Sequence, residues 1–274
     1  MSVPRSGVRI LQVLGSDRLR VSSTTSEMTS ITTVTLELAT GGEITADHIA
    51  MAAKLFSENY GIWPNGDRVK MSPRKLRQML LPEGPRAVHC LVRASANDEV
   101  IGHVFATRWI FENRGLQEEG GQVCWITQLV VRKDYRRQRI ATDMLRKLRE
   151  SGGRKDWACG ILSSHPAAIM AALRAFGLSL QGLDLKFTTR LGKQILLSSP
   201  VEYVRTARAF GEVFGDEGTV SSAFTNFGVD HAEPDEVLAT ILEEKRKWPL
   251  GRLLPGHEYL VTISASEFSP NTGG

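Results

Sequence analysis

Cysteine is scarce in this chain of 274 residues, which holds only three, Cys90, Cys124 and Cys159. They are odd in number, widely spaced, and set in the apolar stretches HCLV, VCWI and ACGI. A disulfide framework and a CxxC metal knuckle are therefore both excluded, and buried free thiols are expected. That usage favours a reducing, intracellular compartment. Long apolar runs are missing as well: none approaches the roughly 18 to 20 residues of a membrane-spanning helix. His48, His89, His103 and His257 show no metal-ligand spacing with one another or with cysteine, so no metal is expected.

Net charge is also small. Against 34 basic residues stand 30 acidic ones, and 42% of the chain is hydrophobic, which excludes a disordered or low-complexity protein and provides for a substantial core. The surplus of +4 is unevenly placed. Between Arg132 and Lys155 lie ten basic residues and three acids, a local excess of seven, so the remainder of the chain is net negative by three. One short segment thus carries more than the whole surplus, which implies a specific anionic partner there.

Apolar periodicity orders the chain. The first 30 residues, rich in Ser and Thr with Arg5, Arg9, Arg18 and Arg20, read either as a mitochondrial targeting segment or as a flexible polar extension. ITTVTLEL alternates as a strand from Ile31. Thr45 caps a helix with Ile49, Ala52, Ala53, Phe56 and Tyr60 on one face, and Ser72 with Pro73 opens a second. VHCLVRA, EVIGHVFATRWIF and QVCWITQLVV form an antiparallel meander, IATDMLRKLRE a helix, WACGILSS a strand and AAIMAALRAF a helix. Beyond lie a strand in LDLKFTT, a helix at PVEYVRTARAF, a strand in VSSAFTNF, a helix from Pro234 to about Arg246 and a last strand in EYLVTIS. Residues 31–274 are expected to form a single domain.

The unit TQLVVRKDYRRQRIATDMLRKL carries the chemistry. A strand ends at Val131, a basic loop follows, and a helix begins near Ile140 with N–H groups that have no intrahelical partner. Those donors and the positive end of the helix dipole make an anion site. Arg136, Arg137 and Arg139 add donors suited to phosphate oxygens, and Ala141 leaves room for close approach. The alternative is a solvated basic turn before a packed amphipathic helix.

Taken in order, these features resemble the acyl-CoA-binding motif of the GNAT superfamily of N-acyltransferases. Leu129 and Val131 match its strand, Tyr135 and Arg136 its Tyr-Arg pair, and Arg136, Arg139 and Ala141 its R/Q-x-x-G-x-G/A positions. The first glycine of that motif is here Arg139. The phrases LFSENYGIWP, SSHPAA, FTNFGVDHAEP and WPLGRLLPGHEYL resemble a fungal GNAT-like group of undefined substrate. The resemblance implies an α/β fold, a central, mixed, mostly antiparallel sheet flanked by helices, with the motif at 129–148 and an elaborated C-terminal region from about residue 190. It also implies acetyl-CoA as co-substrate. Leu129, Val130 and Val131 would hold its pantetheine, and Arg136, Arg137, Gln138, Arg139, Ile140, Ala141 and Thr142 its pyrophosphate.

Catalytic groups are harder to place. The family's strand carboxylate is here Trp125, and its helix tyrosine falls on Ala172 or Leu173. Four candidates remain for the base or acid. His165 opens a helix, Asp230 and His231 precede Pro234, and Glu112 ends a strand. Tyr203 is a further substitute for the acid. Each has a structural alternative: helix capping for His165 and for one of Asp230 and His231 but hardly both, a solvated strand end for Glu112 and core packing for Tyr203. Tyr60 and Trp63 are expected against the acceptor, a small-molecule amine or a protein lysine. Neither nucleic acid nor membrane is expected as a partner, and the oligomeric state is open. The reading is an acetyl-CoA-dependent N-acetyltransferase, cytoplasmic or mitochondrial; the alternative is a GNAT-like domain that binds acyl-CoA as a sensor without turnover.

Overall fold

In a computed structural model, the chain is described at residues 31–82, 87–112 and 120–267 and in two short strands, β1 (Arg9–Ile10) and β2 (Arg18–Ser22). The rest of the segment read as an N-terminal extension lies outside the described residues.

Strands β3 (Ile31–Thr40), β4 (Ala87–Ala96), β5 (Glu99–Phe111) and β6 (Gly121–Val131) run antiparallel in turn. The β4–β5 turn falls on Asn97 and Asp98, both at positive φ, as a tight two-residue hairpin requires. Helix α3 (Ile140–Gly152) then crosses over to β7 (Asp156–Ser163), which lies parallel to β6 because a crossover helix returns the chain in the same direction. Short strands β8 (Arg208–Phe210) and β9 (Ser222–Phe224) and the long β10 (His257–Ser264) complete a sheet of order β1-β2-β3-β4-β5-β6-β7-β10-β9-β8. It is the expected mixed, mostly antiparallel sheet flanked by helices.

The caps explain where the helices start. Thr45 accepts from the His48 N–H to begin α1 (Ala46–Asn59), Ser72 from Lys75 to begin α2 (Pro73–Leu80), and His165 from Ala167 to begin α4 (Pro166–Ala175). On one face of the sheet, Met144, Leu145 and Leu148 of α3 and Ile169 and Phe176 with α4 pack on Val92, Val104 and Ile126. On the other, α1 and α2 cover Leu91 and Phe105, while helix α5 (Lys186–Ser198) covers Trp109, Trp125 and Leu260. All three cysteines are buried and free, and burial pushes the Cys90 thiol up to about 11.

Three C-terminal expectations are corrected. LDLKFTT is the lead-in and first turn of α5, whose buried Phe187, Leu191 and Ile195 recur every four residues over a longer window than the apparent alternation of Leu183, Leu185 and Phe187. The helix expected at PVEYVRTARAF is one turn, α6 (Glu202–Arg205), after which Arg208–Phe210 pairs with β9. In VSSAFTNF only Ser222–Phe224 is strand, since Val220 and Ser221 both donate to the Leu250 carbonyl of a loop. Helix α7 (Ala232–Glu243) begins before Pro234, which its first turn tolerates because the missing N–H has no partner there in any case.

Candidate functional site

The site is a cleft that opens where β6 and β7 part. Their parallel pairing runs from Gln122↔Asp156 to Ile126↔Ile161 and stops, while β6 continues to Val131. A bulge drives the divergence: opposite β5, Phe105 pairs with Gln128 and Ala106 with Ile126, so Thr127 is one residue in excess. Beyond it β6 remains paired to β5 through Leu129, Val130 and Val131. Its other edge faces the cleft without β7 beside it.

At the far end of β6 lies the basic loop. Arg132 leads into a short turn at Lys133–Tyr135, then Arg137 and Arg139 adopt left-handed backbone conformations, φ 62° and 65°, before Ile140 starts α3. Arg139 thus holds the conformation that a glycine adopts at no steric cost. Unlike α1, α2 and α4, α3 has no side-chain cap, so its first-turn N–H groups lack the partner those helices supply for themselves. Arg137 and Arg139 are exposed beside it, whereas Ile140 and Thr142 are buried.

Arg136 turns inward. Its guanidinium meets the Glu233 carboxylate and the Asn59 carbonyl, and its Nε donates to the Val131 carbonyl at 3.2 Å. Glu233 also lies 3.6 Å from Nε2 of His165. The contact with His165 and then the charge of Arg136 outweigh burial and hold the Glu233 carboxyl at about 2. Motif loop, α4 and α7 are thereby joined at one point. Nδ1 of His165 is already engaged in capping α4, accepting from Ala167 at 3.2 Å. Asp230 accepts from the Ala232 N–H at 2.7 Å, and its own N–H donates to the Ile62 carbonyl. His231 is the residue before α7, with Nε2 buried and without a hydrogen-bond partner among the described residues. Glu112 follows Phe111, at the end of β5 remote from the basic loop: Phe111 pairs with Gly121, whereas Gly102 pairs with Val131. The structure therefore brings His165 to the loop, leaves Asp230 and His231 at the turn into α7, and sets Glu112 apart.

Between these parts is a cavity of about 160 Å³. Ile126–Leu129 of β6 and Ile161–Ser163 of β7 form its strand side. Phe56, Tyr60, Met71, Met79 and Leu80 form its helix side, and Phe227 closes it. Tyr60 stacks on Phe56 with centroids 4.3 Å apart, while Trp63 stands behind, edge-on to Phe227 at 5.5 Å. Glu258 of β10 lines the cavity at 6% exposure. Burial pushes its carboxyl up to about 7, against the opposing effect of a hydrogen bond with Thr225. Tyr203 lines it too, with its hydroxyl donated to the Thr127 carbonyl at 2.7 Å and its pKa raised by burial. Gln128 is oriented by His103, whose Nε2 lies 2.8 Å from its Oε1.

Glu258 and Glu233 were not singled out by sequence reasoning. Glu258 sits within EYLVTIS, where a strand pattern marks no residue for chemistry, and Glu233 reads as an ordinary acid in a first helical turn. The only local signal was that a glutamate interrupts an otherwise buried strand. Among the described residues no group of three or more His, Cys, Asp or Glu is placed to hold a metal ion, and no helix is long and apolar enough to cross a membrane.

Residues 52–176 match the family described as Acetyltransferase (GNAT) family. Solved structures with similarity include an acetyltransferase from Thermus thermophilus, at 16% identity over 52% of this chain and 85% of that one, TM-score 0.35. Another is Arabidopsis thaliana NAA60 in complex with acetyl-CoA, at 15% identity over 52% and 84%, TM-score 0.33. A third is the aminoglycoside acetyltransferase meta-AAC0020 from an uncultured soil metagenomic sample, in complex with sisomicin, at 15% identity over 42% and 68%, TM-score 0.28. No curated protein matches the chain in sequence.

Proposed function

We propose, from a chain whose residues 52–176 match the acetyltransferase (GNAT) family, that it is an acetyl-CoA-dependent N-acetyltransferase with Glu258 as its general base. The observation that carries this reading is a carboxyl group buried in the wall of the strand cleft and tuned to about 7. A base poised near the working pH is what removal of an ammonium proton requires.

The residues present fit the co-substrate. The uncapped start of α3, with Arg137 and Arg139 beside it, suits a pyrophosphate, and the edge of β6 from Gln128 to Val130, which has no β7 beside it, suits the amide-bearing pantetheine arm. When bound, acetyl-CoA supplies a thioester carbonyl as electrophile. Glu258 takes one proton from the ammonium, the neutral nitrogen bonds to the acetyl carbon as the carbon–sulfur bond breaks, and the proton the nitrogen then sheds passes to the departing CoA thiolate. The β6 main chain positions the acyl donor, and the cavity wall excludes water from it. Tyr203 is less suited to be the acid, because its proton is already held by the Thr127 carbonyl. His165, capping α4 and touching Glu233, serves the cofactor end of the cleft.

Calorimetric titration with CoA tests the cofactor half, on the wild type and on Arg137→Ala with Arg139→Ala. Wild-type binding no tighter than millimolar refutes it. Acetyl transfer across a panel of amines, with Glu258→Gln as the comparison, tests the chemistry. Tight CoA binding without transfer to any amine would establish the sensor instead.

A further inference from the structure

We infer that the acceptor is a small primary amine with one positive charge on an apolar, ring-sized body, and that the helix side of the cavity is its binding site. The inference rests on the acetyltransferase reading and adds the class of substrate. Once the strand side is assigned to the thioester arm, what remains is walled by Phe56, Tyr60, Met71, Met79, Leu80 and Phe227. Aromatic faces and thioethers both favour a ring over a polar body. The whole cavity, about 160 Å³, is close to the roughly 150 Å³ of an apolar cavity that accepts one benzene, so the share left beside the thioester arm holds no more than one ring-sized body.

Charge limits the acceptor further. Glu258 is the one carboxylate among the lining residues, and no lysine, arginine or histidine accompanies it. It offers one partner to one ammonium, with the Tyr60 ring nearby as a second, weaker attraction for a cation. A polyamine would bring further ammonium groups into an apolar wall with nothing to pair them. An amino sugar would bring hydroxyls that need partners of their own. On the helix side the Tyr60 hydroxyl is the one such group among the lining residues; Thr127, Gln128, Ser163, Tyr203, Thr225 and Asn226 stand on the strand and loop sides.

The experiment compares 2-phenylethylamine with n-butylamine, spermidine, glucosamine and Nα-acetyl-lysine amide. For each, kcat/KM with acetyl-CoA is measured, together with equilibrium binding in the presence of CoA. Expected is a kcat/KM for 2-phenylethylamine at least tenfold above each of the others. Phe227→Ala, a partly exposed position, should lower that value at least tenfold, with thermal melting as the check on folding. Equal or better use of spermidine, glucosamine or the lysine amide overturns the inference. Should no amine be acetylated, binding decides: a tenfold preference for 2-phenylethylamine upholds the assigned site and refutes the transferase reading, and the lack of any preference refutes the site.

Discussion

The phenol of Tyr203 donates to the main-chain carbonyl of Thr127 at 2.7 Å, and Thr127 is the residue that β6 carries in excess over β5. The bulge that turns β6 away from β7 leaves a carbonyl without a ladder partner, and a side chain from α6 takes it. Tyr203→Phe should orphan that buried acceptor and cost about 1–3 kcal/mol. At roughly 2–4 °C per kcal/mol for a domain of this size, melting should fall by a few degrees or more. Catalysis should fall less than tenfold, with the alkaline limb of the pH profile in place. A hundredfold loss of kcat together with loss of that limb would instead make Tyr203 the proton donor.

As the proposed base, Glu258 should tie activity to pH. With its carboxyl at about 7, kcat/KM should rise through that pH as the base ionises. Glu258→Gln should lower the rate by about 10²–10⁴ and abolish the rise. Stability runs the other way. A carboxyl raised from 4.5 to about 7 on folding contributes stability that is fully present below about 4.5 and lost as pH climbs through 7. The shift is worth about 3 kcal/mol. Urea unfolding of wild type and Glu258→Gln at pH 4.5 and pH 8 should show the variant gaining by that order at the higher pH; an unchanged difference would mean that Glu258 is not buried as described.

At Arg139 two effects oppose each other. A non-glycine residue at φ 65° costs about 1–2 kcal/mol relative to glycine, yet the guanidinium stands exposed beside the uncapped start of α3. Arg139→Gly should therefore melt about 2–4 °C higher for each kcal/mol recovered and bind CoA several-fold more weakly, most visibly at low salt. Tighter CoA binding by the variant would show that the side chain crowds the site.

The parts of this molecule that were legible in its sequence are those whose causes are local. Thr45 and Ser72 announce their helices because a cap acts over three residues, and the basic loop between β6 and α3 is legible because strand, loop and helix start are contiguous. Glu258 was not legible, because its burial and its neighbours come from β9, from Tyr60 on α1's end and from Tyr203, all distant in sequence. The single-turn length of α6 likewise follows from the pairing of Arg208–Phe210 with β9, a tertiary effect that overrides local helical pattern.

Gly152 tests how tightly the base of the cleft is built. Below the catalytic end, buried Arg108 clasps Asp156, Nε to Oδ1 at 2.9 Å and Nη2 to Oδ2 at 3.0 Å, and also donates to the Cys90 sulfur at 2.9 Å and to the Leu148 carbonyl at 2.7 Å. A methyl group at Gly152 would lie 1.9 Å from Asp156 Oδ2 and 2.7 Å from Arg108 Nη2. Alanine is ordinarily better than glycine in a helix by about 1 kcal/mol. Here the ion pair would have to shift, and a buried pair forced apart costs about 3–5 kcal/mol. Gly152→Ala should thus destabilise by about 2–4 kcal/mol, while Gly42→Ala, where the added methyl meets nothing within 4 Å, should stay within about 1 kcal/mol of wild type. Thermal melts of the two variants check this. Equal stability of Gly152→Ala and wild type would show that β7 and α3 yield to the methyl group, and that the Arg108–Asp156 pair is not what fixes the strand bearing Ile161 and Ser163 beside the cleft.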